Sequence, residues 1–325
     1  MKIAFFELEG WEEPAIRRAL EPLGHEVLCH LEALGPQHLG LLKDCQVLSP
    51  FIYSKVDHAV FEAAPGLRLV ATRSTGVDHI DVAEAKARGV AVANVPEYGS
   101  HTVAEHTLAL MLALAHRLPA SMRALREGHI DPMALRGFDV QGKVLGVVGT
   151  GRIGSHVIQM ARGFVPQVLA YDARPDPRKA EALGFEYAPL ERLLKESDIL
   201  TLHCPAGPGP LLGEGEFAAM KPGAVLINTA RGSLVDTQAL LRALESGHLA
   251  GAGLDVYEGE QVVKEEAQLL ARGFHRDDLL HALQAHRLMQ MDNVIMTPHN
   301  AFNSREAVDR ILGTSLATIA GFFKP

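Results

Sequence analysis

Three apolar, strand-like segments run out into side chains that could handle an acid and a proton. Ile227-Asn228-Thr229-Ala230-Arg231-Gly232 delivers an arginine, whose planar fork matches a carboxylate bidentately. Gly253-Leu254-Asp255-Val256-Tyr257-Glu258-Gly259-Glu260 runs into acids, and Val294-Ile295-Met296-Thr297-Pro298-His299 ends in a histidine. Arginine for a carboxylate, histidine for proton transfer and glutamate to hold the imidazolium make a coherent set. Each has a plainer reading when taken singly: a solvated arginine, or one surface histidine among 16. On this reading alone Glu258 and Glu260 are both open as the acid. What the segments share is a place at the carboxyl end of a strand, the side where open α/β sheets bind ligands.

A second chemistry lies in Val144-Leu145-Gly146-Val147-Val148-Gly149-Thr150-Gly151-Arg152-Ile153-Gly154. A buried-strand signature leads into a glycine turn, and Ser155 to Arg162 can continue as a helix. Gly149 allows the tight turn, Gly151 lets a pyrophosphate approach the backbone, and Gly154 permits close helix–strand packing. The N–H groups of the helix start, at Arg152 and Ile153, then face phosphate. The next apolar run, Val168-Leu169-Ala170-Tyr171, ends in Asp172, 18 residues after Gly154. That is where a dinucleotide fold needs a carboxylate for the adenosine ribose. A carboxylate there accepts from the free 2′-hydroxyl of NAD and repels the 2′-phosphate of NADP. Arg174 pulls the other way, and a solvated loop arginine is its simpler reading. NAD is therefore the expected cofactor.

These groups require two sets of strands. Residues 1–98 alternate short apolar runs (Ile3–Phe6, Val27–Cys29, Val47–Ser49, Leu69–Thr72, Val90–Asn94) with helical stretches. Tyr98 to Leu118 reads as one long helix ended near Pro119. A second series follows at Val144–Val148, Val168–Tyr171, Ile199–His203, Val225–Asn228, Ala252–Val256 and Val294–Thr297. The expected fold is α/β, with two doubly wound parallel-sheet domains. A Rossmann NAD-binding domain (99–299) is inserted into a flavodoxin-like substrate domain (1–98 and 300–325), completed by a last helix near Ser304 to Gly321.

At this point the residues resemble the D-isomer-specific 2-hydroxyacid dehydrogenases over nearly the whole chain. The ordered matches are Arg73-Ser74-Thr75-Gly76-Val77-Asp78-His79-Ile80-Asp81, Asn94-Val95-Pro96, Val103-Ala104-Glu105-His106, the glycine loop, Asn228 to Gly232, Gly253 to Val256, and Thr297-Pro298-His299. By resemblance, Arg231 binds and polarises a 2-oxo acid, His299 is the proton donor and acceptor, and Glu260, five residues after Asp255, is its partner. The same resemblance puts the substrate carboxylate on N–H groups at Thr75 and Gly76, and Asp255 near the nicotinamide. It extends the cofactor set (Gly149, Gly151, Arg152, Ile153, Gly154, Asp172) to Pro205, Thr229, Ala230 and Arg231. Ala206 to Leu212 lacks the family's usual threonine or asparagine, so no contact is assigned there. Two details resemble the D-lactate dehydrogenase branch: no proline follows Glu260, and a long charged stretch separates Glu260 from Asn293. Tyr98 and Phe302 resemble that branch's substrate-site aromatics, with hinge or core packing as the alternative. The resemblance implies a homodimer. It also leaves glyoxylate/hydroxypyruvate reduction and an NAD-binding corepressor as alternatives to pyruvate/D-lactate interconversion.

Composition narrows the rest. The 325 residues favour two domains, and 47% hydrophobic with 22% charged residues suits a sizeable α/β core. A net charge of −8 offers nucleic acid or anionic membrane no broad basic surface. Cys29, Cys45 and Cys204 are odd in number and lack metal-ligand spacing, so no disulfide framework or metal is expected. MKIAFFELEG reads as a first strand and not a signal peptide, and the apolar run Ala109–Ala115 is too short to span a bilayer. The expected compartment is the cytoplasm.

Overall fold

The computed structural model describes residues 1–260 and 276–322. The chain divides into two compact units, Met1–Gly99 with Ser304 onward, and Ser100–Asn303. The first holds five parallel strands: β1 (Lys2–Phe5), β2 (Glu26–Cys29), β3 (Cys45–Ser49), β4 (Leu69–Ala71) and β5 (Ala91–Ala93), in the order β2-β1-β3-β4-β5. Side chains alternate between its faces, as a strand requires. Ala4, Leu48 and Val70 enter one core, while Ile3, Phe5, Val47, Leu69 and Ala71 enter the other. Burial on both faces explains why these strands read as continuous apolar runs. The second core is closed by Ile16 and Leu20 of helix Glu12–Leu20 and by Leu312 and Ile319 of helix Arg305–Phe322.

The second unit holds β6 (Val144–Val148), β7 (Gln167–Tyr171), β8 (Glu186–Tyr187), β9 (Ile199–Leu202), β10 (Ala224–Asn228), β11 (Leu249–Leu254) and β12 (Val294–Met296). All are parallel, in the order β12-β11-β10-β9-β6-β7-β8. The order reverses at β6, which lies between β7 and β9, and a doubly wound sheet opens a ligand crevice at such a point. Leu108 and Met111 of helix Ser100–Ala115, with Val157 and Ile158 of helix Arg152–Ala161, cover one face. Leu240 and Leu244 of helix Thr237–Glu245 cover the other.

Three expectations need correction. The expected helix over Tyr98–Leu118 spans Ser100–Ala115. Arg117 takes a left-handed backbone (φ 49°), and a second helix runs Leu118–Glu127. Pro119 does not end a helix but sits in the first turn of the next one, where its missing N–H has no intrahelical partner to lose. β8 has no counterpart in the sequence reading, because two residues at a sheet edge are too few to show a period. Asn300 to Asn303, assigned to the first domain by sequence, fall in the second unit, because Asp255 bonds the N–H groups of Asn300 and Ala301. The charged stretch between Glu260 and Asn293 lies partly outside the described residues, and its later part includes helix Arg276–Met289.

Candidate active site

The glycine loop sits at the reversal point. Gly149 donates to the Tyr171 carbonyl of β7 at 2.7 Å, while His203, just past β9, donates to Val148 at 2.7 Å. Gly149 has φ +92°, and a Cβ there would lie 2.6 Å from the His203 carbonyl oxygen. At Gly154 a Cβ would lie 2.0 Å from the Gly149 carbonyl oxygen, so only glycine lets the helix meet the turn this closely. Gly151 differs: a Cβ there would meet nothing within 4 Å. Its glycine leaves open the approach a pyrophosphate needs, beside first-turn N–H groups that have no intrahelical acceptor.

Asp172 follows β7. Its Oδ2 accepts from the N–H (2.7 Å) and hydroxyl (2.8 Å) of buried Thr150, and its Oδ1 accepts from Arg174 N–H at 2.8 Å. Partial burial pushes this carboxyl up, but those bonds, with Lys179 nearby, hold it below the usual carboxylate range. The charged form is the one that accepts from a ribose diol. Sequence reasoning missed Thr150 and Tyr187. The Tyr187 hydroxyl, on β8, lies 2.8 Å from Thr150 Oγ1, and Lys179 Nζ donates to the Thr150 carbonyl at 2.6 Å. The backbone opening at Gly151 and the ionised Asp172 fit a dinucleotide.

The candidate acid–base residues lie at the carboxyl ends of β10, β11 and β12. Asn228, the last residue of β10, donates to the Arg231 carbonyl at 2.8 Å and accepts from Ala230 N–H at 3.0 Å, which shapes the turn carrying Arg231. Arg231 Nη1 donates to the Ala230 carbonyl at 2.7 Å. A Cβ on Gly232 would lie 2.3 Å from the Tyr257 carbonyl carbon, so this turn packs directly on the acidic segment. Within that segment the two glutamates part. Glu258 Oε2 accepts from Thr237 N–H (3.0 Å) and its hydroxyl (2.7 Å) at the start of helix Thr237–Glu245. Glu260 Oε1 lies 2.8 Å from His299 Nδ1, while Glu260 Oε2 is buried with no hydrogen-bond partner among the described residues.

Asp255 fixes the histidine. It is 1% exposed, and its oxygens accept from the Thr297 hydroxyl (2.5 Å), Asn300 N–H (2.7 Å) and Ala301 N–H (2.9 Å). Its carbonyl accepts from His299 N–H at 2.9 Å. His299 itself adopts φ 54°, a left-handed backbone that a non-glycine residue keeps only when its surroundings enforce it. His106 Nε2 reaches Thr297 Oγ1 at 3.1 Å and completes the network. Its motif was legible in sequence, but its contact was not.

The remaining candidates are placed as follows. Buried Thr229 shares a 3.0 Å hydroxyl contact with Thr107, and Pro205 is exposed at the end of β9. In the first unit, buried Arg73 donates to the carbonyls of Phe6, Glu7 and Ser49, and so anchors the loop that follows it. Thr75 is held through its hydroxyl to Val95 (3.0 Å) and its carbonyl to Asn94 (2.6 Å). The Gly76 carbonyl accepts from Ser74 at 2.6 Å. Half-buried Tyr98 accepts Arg310 Nε at its carbonyl (2.7 Å), and Phe302 is half-buried in the second unit. His30, Glu32 and His38 form a metal-like group. Gly35 N–H donates to His38 Nδ1 at 3.0 Å, which leaves Nε2 as the donor to Glu32 and no lone pair on that ring for an ion.

Residues 108–301 match the model of the D-isomer specific 2-hydroxyacid dehydrogenase NAD binding domain. The chain belongs to this family. It is 40% identical over 312 residues to a glyoxylate reductase of Korarchaeum cryptofilum, covering 94% of this chain and 83% of the relative. Among solved structures it is similar to the D-lactate dehydrogenase from Aquifex aeolicus complexed with NAD and lactic acid. That similarity has a TM-score of 0.88 and 32% identity, over 98% of this chain and 95% of that one. It is also similar to the pyruvate reductase of Chlamydomonas reinhardtii (TM-score 0.86, 31% identity, 99% and 96% covered). The family's cofactor is NAD, and the glycine loop with Asp172 suits it. No helix among the described residues is long and apolar enough to cross a membrane.

Proposed function

We propose that the chain reduces a short 2-oxo monocarboxylate to the D-2-hydroxy acid, with pyruvate and D-lactate as the pair. The observation that carries this reading is the 2.8 Å Glu260–His299 pair at the same strand edge as Arg231. Arg231 binds and polarises the 2-oxo acid, and Thr75 and Gly76 offer main-chain N–H groups to its carboxylate. Tyr98 and Phe302 stand beside the substrate's short side chain. Gly149, Gly151, Arg152, Ile153 and Gly154 hold the pyrophosphate, Asp172 the ribose, and Pro205, Thr229, Ala230 and Asp255 the nicotinamide side. NADH, when bound, supplies the hydride that C2 receives. Glu260 holds His299 at Nδ1, which leaves Nε2 to handle the proton. Protonated His299 gives that proton to the carbonyl oxygen as negative charge develops, and the neutral ring takes it back in oxidation.

Pyruvate is favoured by the absence of a proline after Glu260 and by the similar D-lactate dehydrogenase structures. Glyoxylate is the second reading, because the Korarchaeum relative bears that activity in its name. Initial rates on pyruvate, hydroxypyruvate and glyoxylate, each with NADH and NADPH, test the choice. The expected order puts pyruvate with NADH first in kcat/KM. Glyoxylate in first place overturns the substrate but not the chemistry. We also propose a cytoplasmic homodimer. Leu118, Met122 and Leu125, at 49%, 56% and 70% exposure, form one apolar stripe on helix Leu118–Glu127 that a second copy could cover.

A further inference from the structure

The second unit carries a cavity of about 160 Å³ away from the residues described above. It is lined where β10, β11 and β12 begin, by Val225, by Ala250 and Gly251, and by Asn293 and Ile295. The Glu260–His299 pair and Arg231 lie beyond the opposite ends of those strands. Six residues of β11, at about 3.3 Å each, separate the two edges.

Two arginines line the cavity. Arg117 Nε is buried and finds no hydrogen-bond partner among the described residues. The residue is held there by its left-handed backbone between two helices. Arg136 is exposed, and among the described residues its Nη2 reaches only the Met133 thioether, a weak acceptor, at 3.1 Å. The one carboxylate in the lining, Asp292, is engaged by Arg123, so it does not neutralise either guanidinium through an ion pair. The buried Arg117 Nε–H lacks an acceptor, and an anion seated beside it supplies one. Leu114, Phe138, Val225 and Ile295 give the rest of the lining its apolar part, beside Asn293, whose amide donates to the Ala250 carbonyl at 3.2 Å. Hydrocarbon walls with a paired cationic end select a carboxylate with a short apolar body over bare phosphate. A cavity of roughly 150 Å³ holds a benzene ring, which sets the size at about six heavy atoms.

We propose that this cavity is a second anion site, taking a small aliphatic monocarboxylate through Arg117 and Arg136. The test is ¹⁹F NMR of 3-fluoropropionate with the full-length, NADH-loaded protein. Arg231→Met removes the guanidinium of the proposed substrate site, so binding that persists in that variant, within about twofold, belongs elsewhere. Adding Arg117→Gln should then weaken it at least tenfold, and Arg136→Gln by less. Ala250→Leu narrows the exposed mouth while keeping both arginines, and it decides the matter if Arg117→Gln lowers the melting temperature. Loss of binding on Ala250→Leu supports the site. No binding at millimolar probe in the Arg231→Met protein, or affinity indifferent to both Arg117→Gln and Ala250→Leu, overturns it. Tighter binding of inorganic phosphate than of 3-fluoropropionate overturns the assigned ligand class.

Discussion

On the β6–β7 side of the seven-stranded sheet, position is set by what cannot fit. On the β10–β12 side it is set by what must be bonded. Gly149 and Gly154 stand where a single added carbon would meet a carbonyl oxygen at 2.6 and 2.0 Å. The turn there admits almost no alternative. His299 is held by hydrogen bonds, from its N–H to the Asp255 carbonyl and from its ring to Glu260. It keeps its left-handed backbone because Asp255 collects three donors from the residues around it. A steric frame tolerates loss of charge but not of space, whereas a polar network tolerates neither an unpaired donor nor a missing acceptor. Binding of the cofactor and transfer of the proton should therefore fail independently.

The largest effect is expected on the polar side. His299→Ala removes the proposed proton donor and should lower kcat by roughly 10²–10⁴-fold, the range of general acid–base catalysis. NADH affinity, read from quenching of protein or enhancement of nicotinamide fluorescence, should stay within about threefold. A variant that keeps near-normal turnover sinks the acid–histidine mechanism. Loss of NADH binding would instead show that the two sides of the sheet are one cooperative structure.

Gly154→Ala is the matching break on the steric side. The new carbon must displace the Gly149 carbonyl, and overpacking of this kind costs about 1–3 kcal/mol. The expected outcome is a lower melting temperature and about tenfold weaker NADH binding, with kcat at saturating NADH nearly intact. Equal loss of kcat at saturation would contradict the separation.

This contrast also explains what could be read in the chain. The nucleotide side is written within 29 consecutive residues, Val144 to Asp172, where local sterics and one strand period determine the outcome. On the other side the acids lie 39 and 44 residues before His299, in pairs Glu260–His299 and Asp255–His299 that only the sheet brings together. Composition and spacing left Glu258 and Glu260 equal, because alternation along an irregular segment does not fix which side chain turns inward. Thr150, Tyr187 and His106 escaped for a related reason. Each hydrogen-bonds a residue distant in sequence, and such a contact leaves no periodic trace. The helix break at Arg117 was hidden by Pro119, which ends helices and begins them equally well.

The smallest effect separates the two glutamates. Glu260 Oε1 lies 2.8 Å from His299 Nδ1, a contact that fixes the orientation of the ring. Glu260→Ala removes that contact, so kcat for reduction of a 2-oxo acid should fall, by less than on His299→Ala, while NADH affinity stays unchanged. Glu260→Gln keeps a hydrogen-bonding group of the same shape and should recover part of the loss. Glu258 spends its carboxylate on Thr237, and a glutamine oxygen can still accept from that N–H and hydroxyl. Glu258→Gln should accordingly leave kcat and KM nearly unchanged and lower the melting temperature by only a few degrees. Measuring kcat, KM and melting temperature for the three variants decides the matter. A loss of turnover on Glu258→Gln with none on Glu260→Ala would mean that the acid acting on His299 is not the one hydrogen-bonded to it.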